Sequence, residues 1–258
     1  MRLNKWLAQA GIASRRKCDQ LIEEGRVTVN DVVVRELGVK IDPETDVVRF
    51  DGGRTKATPS FVYLLLNKPA GLLVTHDDPQ GRPTVFDLIH RKERLFSVGR
   101  LDLDTAGVLL LTNDGTLCRR LSHPSFEVEK VYEAWVEGIP DQKALRILQE
   151  GVVLKLEGED ENDSPKNERS PTGKRAKTFV TAPAKVKIQR TEDRNALLEL
   201  TLHEGRKRQV KRMCEAVGHR VQRLVRKRFA GLSVKGLPQG KSRLLTPQEV
   251  ARLKKVAQ

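Results

Sequence analysis

The sequence predicts an α+β fold made of a small amino-terminal module and a larger, strand-rich region. Three observations favour this prediction. Apolar residues in the first 25 positions recur at helical spacing, and short runs of valine follow them. A polar stretch containing glycine and proline then separates this module from the rest. Beyond it, apolar runs of strand length outnumber helical patterns, and 258 residues are enough for two such domains.

The amino-terminal module is predicted to cover residues 1–48. Apolar spacing predicts a first helix over 3–10 and a second over 15–24, for which Ser14 is a suitable N-cap. Valines flanking an Asn-Asp pair predict a β-hairpin over 27–34. Two helices and a hairpin make a compact module with a small core.

Residues 49–60 are predicted to be a linker, because the sequence DGGRTKATPS has no apolar period. The larger domain is expected over 61–246, beginning with a buried strand. Within it, the polar segment 157–177 has no aliphatic residue larger than alanine, which predicts a mobile insertion. A short basic helix is expected over 247–258. The other predicted strands are 62–67, 128–136, 184–189, 196–202, 220–225 and 232–234, and the other predicted helices are 142–149 and 210–217.

The charge balance indicates a polyanionic partner. The chain has 48 lysines and arginines against 34 aspartates and glutamates, a formal net charge of +14. Nucleic acid is the first candidate. No segment approaches the roughly 18 apolar residues of a membrane-spanning helix, and the first residues do not resemble a secretory signal. We therefore expect a cytoplasmic protein with no membrane partner.

The cysteines and histidines indicate neither a metal nor a disulfide framework. Cys18, Cys118 and Cys214 lie far apart, which does not match the paired spacing of a zinc site and favours reduced thiols. The five histidines form no metal-binding motif. We expect no metal and no cofactor.

The most informative stretch is SVGRLDLDTAGVLLLTNDG, over residues 97–115. It resembles the catalytic motif of pseudouridine synthases, in the branch that modifies small- and large-subunit ribosomal RNA. The resemblance implies isomerisation of uridine to pseudouridine by a mixed, mainly antiparallel catalytic sheet flanked by helices, and it makes Asp102 the nucleophile. Asp104 is the rival carboxylate, and alternation along a strand would point both the same way. The Gly-Arg-Leu-Asp spacing favours Asp102.

Other segments match the same family. NKPAGLLVTHDDPQGRPTVFDLI resembles its first motif, and Tyr132 lies in a Lys-x-Tyr motif whose aromatic face can stack on an extruded uracil. In the family a basic residue pairs with the catalytic aspartate, and the matching position is Lys211. Such an ion pair would keep Asp102 ionised. Leu224 matches the apolar residue that packs against the base. Attack at the ribose anomeric carbon and attack on the pyrimidine ring both remain open.

The amino-terminal module resembles the small alpha-L, or S4-like, RNA-binding domain. The positions that match RNA-facing residues of that family are Lys5, Ser14, Arg15, Arg16 and Arg26. Two of these, Arg15 and Arg16, would lie in the first turn of a helix, where positive charge opposes the helix dipole unless a phosphate offsets it.

A second concentration of positive charge lies in residues 203–228, which contain ten lysines and arginines against two glutamates. Because the target uridine must leave its stack to reach Asp102, some of these residues would hold the displaced RNA backbone. The candidates for that role are Arg100, Arg206, Arg208 and Arg212.

The leading hypothesis is a monomeric, stand-alone ribosomal RNA pseudouridine synthase, acting on 23S rather than 16S RNA because EGRKRQVKRMCEAVGHRVQRLVR looks nearer to the large-subunit enzymes. A non-catalytic ribosome-assembly factor is one alternative, but it has no use for Asp102, Tyr132 and Lys211 together. A glycoside hydrolase using Asp102 with Asp104 or Asp114 is another. It leaves the net charge of +14 and the low aromatic content unexplained.

Overall fold

The computed structural model describes residues 1–56, 60–155 and 178–256. The chain folds as two compact units. The first comprises Met1–Tyr63, Arg91–Phe96 and Thr112–Asp114, and the second comprises Leu64–His90, Ser97–Leu111 and Gly115–Gln258, as far as these are described. The insertion expected over 157–177 lies outside the described residues.

The first unit contains two helices and a four-stranded antiparallel sheet with the order β2-β1-β3-β4. Its elements are α1 (Leu3–Gln9), α2 (Arg15–Glu23), β1 (Val27–Val29), β2 (Val32–Val34), β3 (Val48–Phe50) and β4 (Gly53–Arg54). The Ser14 side chain accepts a hydrogen bond from the Lys17 N–H, as a helix N-cap does. Asn30 and Asp31, both with positive φ, form the tight hairpin turn that the sequence predicts.

The structure differs from the expected linker at its amino-terminal end. Residues 49 and 50 complete β3, and β4 follows after a turn at Asp51 and Gly52, both with positive φ. The Trp6 Nε1 then donates to the Thr55 Oγ1 at 3.1 Å. These strands were not predicted because each has too few apolar residues to show a period.

The second unit is built on a nine-stranded sheet, with the order β11-β12-β8-β13-β7-β5-β15, to which β6 and β14 are added. Its strands are β5 (Tyr63–Lys68), β6 (Phe96–Ser97), β7 (Thr105–Thr112), β8 (Lys130–Glu137), β11 (Lys185–Glu192), β12 (Asn195–Leu202), β13 (Val221–Phe229), β14 (Leu232–Ser233) and β15 (Ser242–Leu244). A separate two-stranded ribbon pairs β9 (Val153–Lys155) with β10 (Thr178–Val180).

Strands β7 and β13 pair in parallel, whereas β13–β8, β8–β12, β12–β11 and β5–β15 are antiparallel. The predicted mixed, mainly antiparallel sheet of an α+β protein is therefore confirmed. Every residue of β7 is buried, as expected for a strand in the interior of a sheet. This strand begins just after the proposed nucleophile.

The helices of this unit are α3 (Gly115–Ser122), α4 (Gln142–Glu150), α5 (Gln209–Ala216) and α6 (Pro247–Val256). Buried residues of α4 and α5 pack with one face of β8 and β12 in the main hydrophobic core, which includes Leu148, Leu198, Leu200 and Met213. No helix among the described residues is long and apolar enough to cross a membrane.

Candidate active site

A cleft of about 860 Å³ lies beside the start of β7. It is lined by the loop before β7, by residues 73–82, by β8 and β13, and by the segment that leads into α5. Seven lysines and arginines and five aspartates and glutamates line it, so its wall has a positive balance that suits a phosphate-bearing ligand.

Asp102 lines this cleft and is partly buried. The Thr105 N–H donates to the Asp102 carbonyl oxygen at 3.1 Å, which closes a turn at the entry to β7. Asp102 and Asp104 therefore precede the strand, and the expected strand alternation does not apply to them. The Asp102 carboxylate makes no hydrogen bond or ion pair with any other residue that the structure describes.

The predicted pair between Lys211 and Asp102 is wrong in this structure. The Lys211 Nζ, on α5, instead contacts the Asp104 carboxylate. The turn between Asp102 and Thr105 accounts for the difference, because it brings Asp104 toward α5. Partial burial opposes ionisation of Asp104, but the hydrogen bond and charge of Lys211 outweigh it and lower the pKa of that carboxyl.

A second lysine holds the same loop from below the surface. Lys68, at the end of β5, is completely buried, and its three N–H groups are shared among the carbonyl oxygens of Pro69, Asp102, Leu103 and Thr105, which lie 2.8 to 3.2 Å from Nζ. Burial lowers the pKa of Lys68 to about 8, although the nearby carboxylates of the loop partly oppose this shift. Lys68 thus fixes the backbone that bears the proposed nucleophile.

Tyr132 and Leu224 lie on one face of the sheet and line the cleft. Tyr132 in β8 is directly opposite Arg226 in β13, while Leu224 is paired with Thr105 in β7. Since residues opposite each other, and residues two apart in a strand, share a face, the aromatic ring, the leucine and Arg226 form one wall. The structure therefore brings together Asp102, Tyr132 and Leu224, as predicted.

The basic residues predicted to hold RNA divide into two groups. Arg100, Arg206 and Arg208 are exposed and line the cleft. Arg212 does not line it, because its guanidinium contacts the Lys155 carbonyl oxygen and lies 5.9 Å from the Phe179 ring centroid. Its expected contact with RNA in the cleft is thus not supported by its position.

In the first unit, Arg15 and Arg16 are exposed at the start of α2, and Lys5 is half-buried in α1. The Arg15 guanidinium donates to the Asn4 side chain at 3.3 Å. Ser14 is engaged as the N-cap of α2.

Arg26, also predicted to face RNA, is occupied within the protein. Its guanidinium donates to both carboxylate oxygens of Asp51, at 2.9 and 2.5 Å, and lies over the Phe50 ring. These contacts give Arg26 a structural role in joining β1 to the turn after β3.

Sequence reasoning missed two residues of the site, Lys68 and Arg226. Lysine at the end of an otherwise apolar strand was the available signal for the first, since a buried lysine needs several acceptors. Arg226 gave no comparable local signal, because its burial depends on strands distant in the chain. Among the described residues, no group of three or more histidines, cysteines, aspartates or glutamates could hold a metal ion.

Comparison with known proteins identifies the class of enzyme to which this fold and cleft belong. The family model of RNA pseudouridylate synthases matches residues 62–216, and that of the S4 domain matches residues 1–48. The chain therefore belongs to the RNA pseudouridylate synthase family, whose members isomerise uridine, and it has an S4 domain at its amino terminus.

Its relatives include ribosomal large subunit pseudouridine synthase B of Bacillus subtilis (strain 168), which is 42% identical over 99% of this chain and 96% of the relative. The protein of the same name from Escherichia coli O157:H7 is 40% identical over 93% of this chain and 77% of the relative. Among solved structures, a crystal structure of a pseudouridylate synthase matches with a TM-score of 0.64 and 29% identity, covering 98% of this chain and 99% of that one.

Proposed function

We propose that this enzyme isomerises a uridine of large-subunit ribosomal RNA and that Asp102 is its nucleophile. The observation that supports the role of Asp102 most strongly is its place in the cleft, with a carboxylate engaged by no other described residue. Asp104, the rival carboxylate, is already paired with Lys211. A nucleophile needs an available lone pair, so Asp102 is the better candidate.

The reaction breaks the bond between N1 of uracil and C1′ of ribose and forms a bond between C5 and C1′. The proton on C5 is lost and N1 gains one, so the reaction needs no oxidant or reductant. The Asp102 carboxylate either adds to C1′ as the glycosidic bond breaks or adds to the pyrimidine ring. Both routes require the freed uracil to stay in the cleft while it turns.

Tyr132 and Leu224 are suited to retain that base. An aromatic side chain can stack on a base, with a gain of about 1–3 kcal/mol, and Tyr132 lies on the cleft wall opposite Arg226. Leu224 packs from the same face two residues earlier in β13. Together they offer an apolar surface for a base that has left its helix, while Lys68 holds the loop of Asp102 in place.

The substrate class is inferred from charge and from relatives. The net charge of +14 and the positive wall of the cleft suit a polyanion. Relatives with 42% and 40% identity are named large-subunit ribosomal pseudouridine synthases. Arg100, Arg206 and Arg208 at the cleft are proposed to hold the backbone of the displaced nucleotide, and Arg15 and Arg16 of the S4 domain to bind RNA elsewhere.

The test is to express wild type and Asp102→Asn in a bacterial host that lacks its related synthases. Pseudouridine is then mapped across 16S and 23S RNA by carbodiimide-dependent primer extension. The proposal predicts one 23S site that appears with wild type and is absent with Asp102→Asn. Asp193→Asn is the matched control, because Asp193 lies exposed at the β11–β12 turn with positive φ, which asparagine tolerates.

A site present with both wild type and Asp102→Asn would remove Asp102 from the mechanism. A site in 16S RNA would contradict the proposed substrate. If wild type bound ribosomal RNA but modified neither species, a role in ribosome assembly would replace the proposed activity on these RNAs.

A further inference from the structure

We propose that Arg226 is a substrate-binding residue whose guanidinium donates a hydrogen bond to a carbonyl oxygen of the target uracil. This inference rests on the proposed function. Arg226 is 2% exposed, yet it lines the cleft. Its Nε donates to the Val108 carbonyl oxygen at 2.9 Å, whereas its Nη2 is buried and has no hydrogen-bond partner among the described residues.

An unsatisfied donor on a buried guanidinium is costly and therefore rare in folded proteins. The cost is removed if a ligand supplies the acceptor. The neighbouring Lys130, which is partly buried, cannot supply that acceptor, because an ammonium group only donates; its Nζ donates to the carbonyl oxygens of Val128 and His203. Burial, and then the nearby charge of Arg226, lower the pKa of Lys130 to about 8.

The position of Arg226 indicates that the hydrogen-bond acceptor for Nη2 belongs to the uracil base and not to the RNA backbone. Arg226 is directly opposite Tyr132, the proposed stacking residue, and two residues beyond Leu224 on the same face. A ring stacked on Tyr132 would therefore have its edge near this guanidinium. A backbone phosphate would reach instead the exposed arginines at 100, 206 and 208.

The chemistry of the reaction makes a fixed donor useful at this place. When C5 replaces N1 at the ribose, the ring turns about the axis through N3 and C6, and the C2 and C4 carbonyl groups exchange positions. One donor thus meets a carbonyl oxygen in both uridine and pseudouridine. Cytosine has an amino group at C4 in place of one of these carbonyl oxygens, so the same donor would disfavour it in one of the two orientations of the ring. Arg226 would therefore help to retain the turning base and to select uracil.

The experiment uses the full-length enzyme and short RNAs that carry the mapped target as uridine, 2-thiouridine or 4-thiouridine. Sulfur is a poorer hydrogen-bond acceptor than oxygen. Single-turnover rates for wild type should fall at least tenfold with one or both thio bases. Arg226→Met, which keeps an apolar chain of similar length, should be at least tenfold slower with uridine and should lose this discrimination.

Arg190→Met is the matched control. Arg226 lies over the Phe229 ring, and Arg190 similarly lies over the Trp135 ring, but on the opposite face of the sheet from Tyr132. It should keep both the wild-type rate and the wild-type discrimination. If Arg226→Met fails to fold, Arg226→Lys is used instead. Lysine is shorter and has one ammonium group in place of the planar guanidinium, so this variant should also discriminate less between uridine and the thio bases.

Three outcomes would contradict the inference in distinguishable ways. If wild type modifies no RNA, the proposed function fails and the inference fails with it. If wild type is active and Arg226→Met discriminates against the thio bases as strongly as wild type, only the inference fails. If discrimination is unchanged while the slope of log affinity against log salt falls by about 0.7, Arg226 contacts a phosphate and not the base.

Discussion

Lys68 illustrates how one buried residue can hold the loop that carries the proposed nucleophile. Its ammonium group is enclosed by four backbone carbonyl oxygens, two of which belong to Asp102 and Leu103. The loop is therefore held through its backbone, which leaves the Asp102 side chain available. Lys68 acts in this way as a positioning residue.

We predict that Lys68→Met lowers the free energy of unfolding by about 2–4 kcal/mol at pH 7, because it leaves buried carbonyl groups without a donor. Urea denaturation followed by circular dichroism measures this change. The variant should also have a reduced kcat and a nearly unchanged KM under conditions in which it remains folded. A variant as stable and active as wild type would contradict the positioning role.

The lowered pKa of Lys68 also predicts a pH dependence. In the folded protein its pKa is about 8, below the ordinary lysine value of 10.5, so between these pH values the unfolded chain binds the additional proton. Folding stability due to Lys68 therefore rises as pH increases from 8 toward 10.5. The difference in unfolding free energy between wild type and Lys68→Met should increase by about 2–3 kcal/mol over this range. A constant difference would contradict the shift.

The contact between Lys211 and Asp104 separates the roles of the two carboxylates. Asp104→Asn removes an ion pair beside the proposed nucleophile, so we predict a loss of about tenfold in single-turnover rate, equivalent to about 1.4 kcal/mol. If Asp102 is the nucleophile, Asp102→Asn should reduce the same rate by at least about a thousandfold. Equal losses in the two variants would mean that the carboxylates act as a unit.

At the scale of the element, the close approach of β7 and β13 depends on one glycine. Gly107 has φ of +107°, and a Cβ there would lie 2.2 Å from the Arg226 carbonyl oxygen. We predict that Gly107→Ala lowers the free energy of unfolding by about 3 kcal/mol or more, through backbone strain and a steric clash.

Gly218→Ala is the control for this prediction. Gly218 also has positive φ, but its added Cβ would meet nothing within 4 Å. Its cost should be about 1 kcal/mol, from the left-handed conformation alone. Similar losses of unfolding free energy in the two variants would show that the close spacing of β7 and β13 does not depend on Gly107.

Helix α2 allows RNA binding to be separated from folding. Ser14→Ala should lower stability by about 1 kcal/mol, because the N-cap bond to Lys17 is lost. The double variant Arg15→Gln/Arg16→Gln should leave stability nearly unchanged but weaken RNA binding, measured by filter retention at several salt concentrations. An unaltered affinity of the double variant would remove these two residues from the RNA-binding surface.

Elements with strong local signals were predictable from the sequence. Helix α2 has a capping serine and an apolar face, and β5 is an apolar run of strand length, so local chemistry was sufficient. Strands β4, β9 and β10 contain only two or three residues each, and their pairing partners decide their structure. The same limit applies to the site. The family resemblance pointed to Asp102 and Tyr132, which both line the cleft, whereas the partner of Lys211 depended on how a turn directs Asp104.

At the scale of the whole molecule, the excess of positive charge predicts the response of RNA binding to salt. If six or more phosphates are contacted, affinity for ribosomal RNA fragments should fall by about a thousandfold between 50 and 200 mM salt. Fluorescence anisotropy with labelled RNA measures the slope. A nearly salt-independent affinity would mean that charge contributes little to recognition, and that the basic residues serve mainly solubility.

The parallel pairing of β7 with β13 also determines when the enzyme can first become active during its synthesis. Arg226 and Val108, which are joined by a hydrogen bond, are 118 residues apart in the chain. At about 5–20 residues per second, the ribosome needs on the order of ten seconds to add this intervening length. During that interval the apolar β7 has one unpaired edge that other nascent chains could occupy. The proposed nucleophile is thus synthesised before the strand that completes its scaffold, because β13 follows β7 by more than 100 residues.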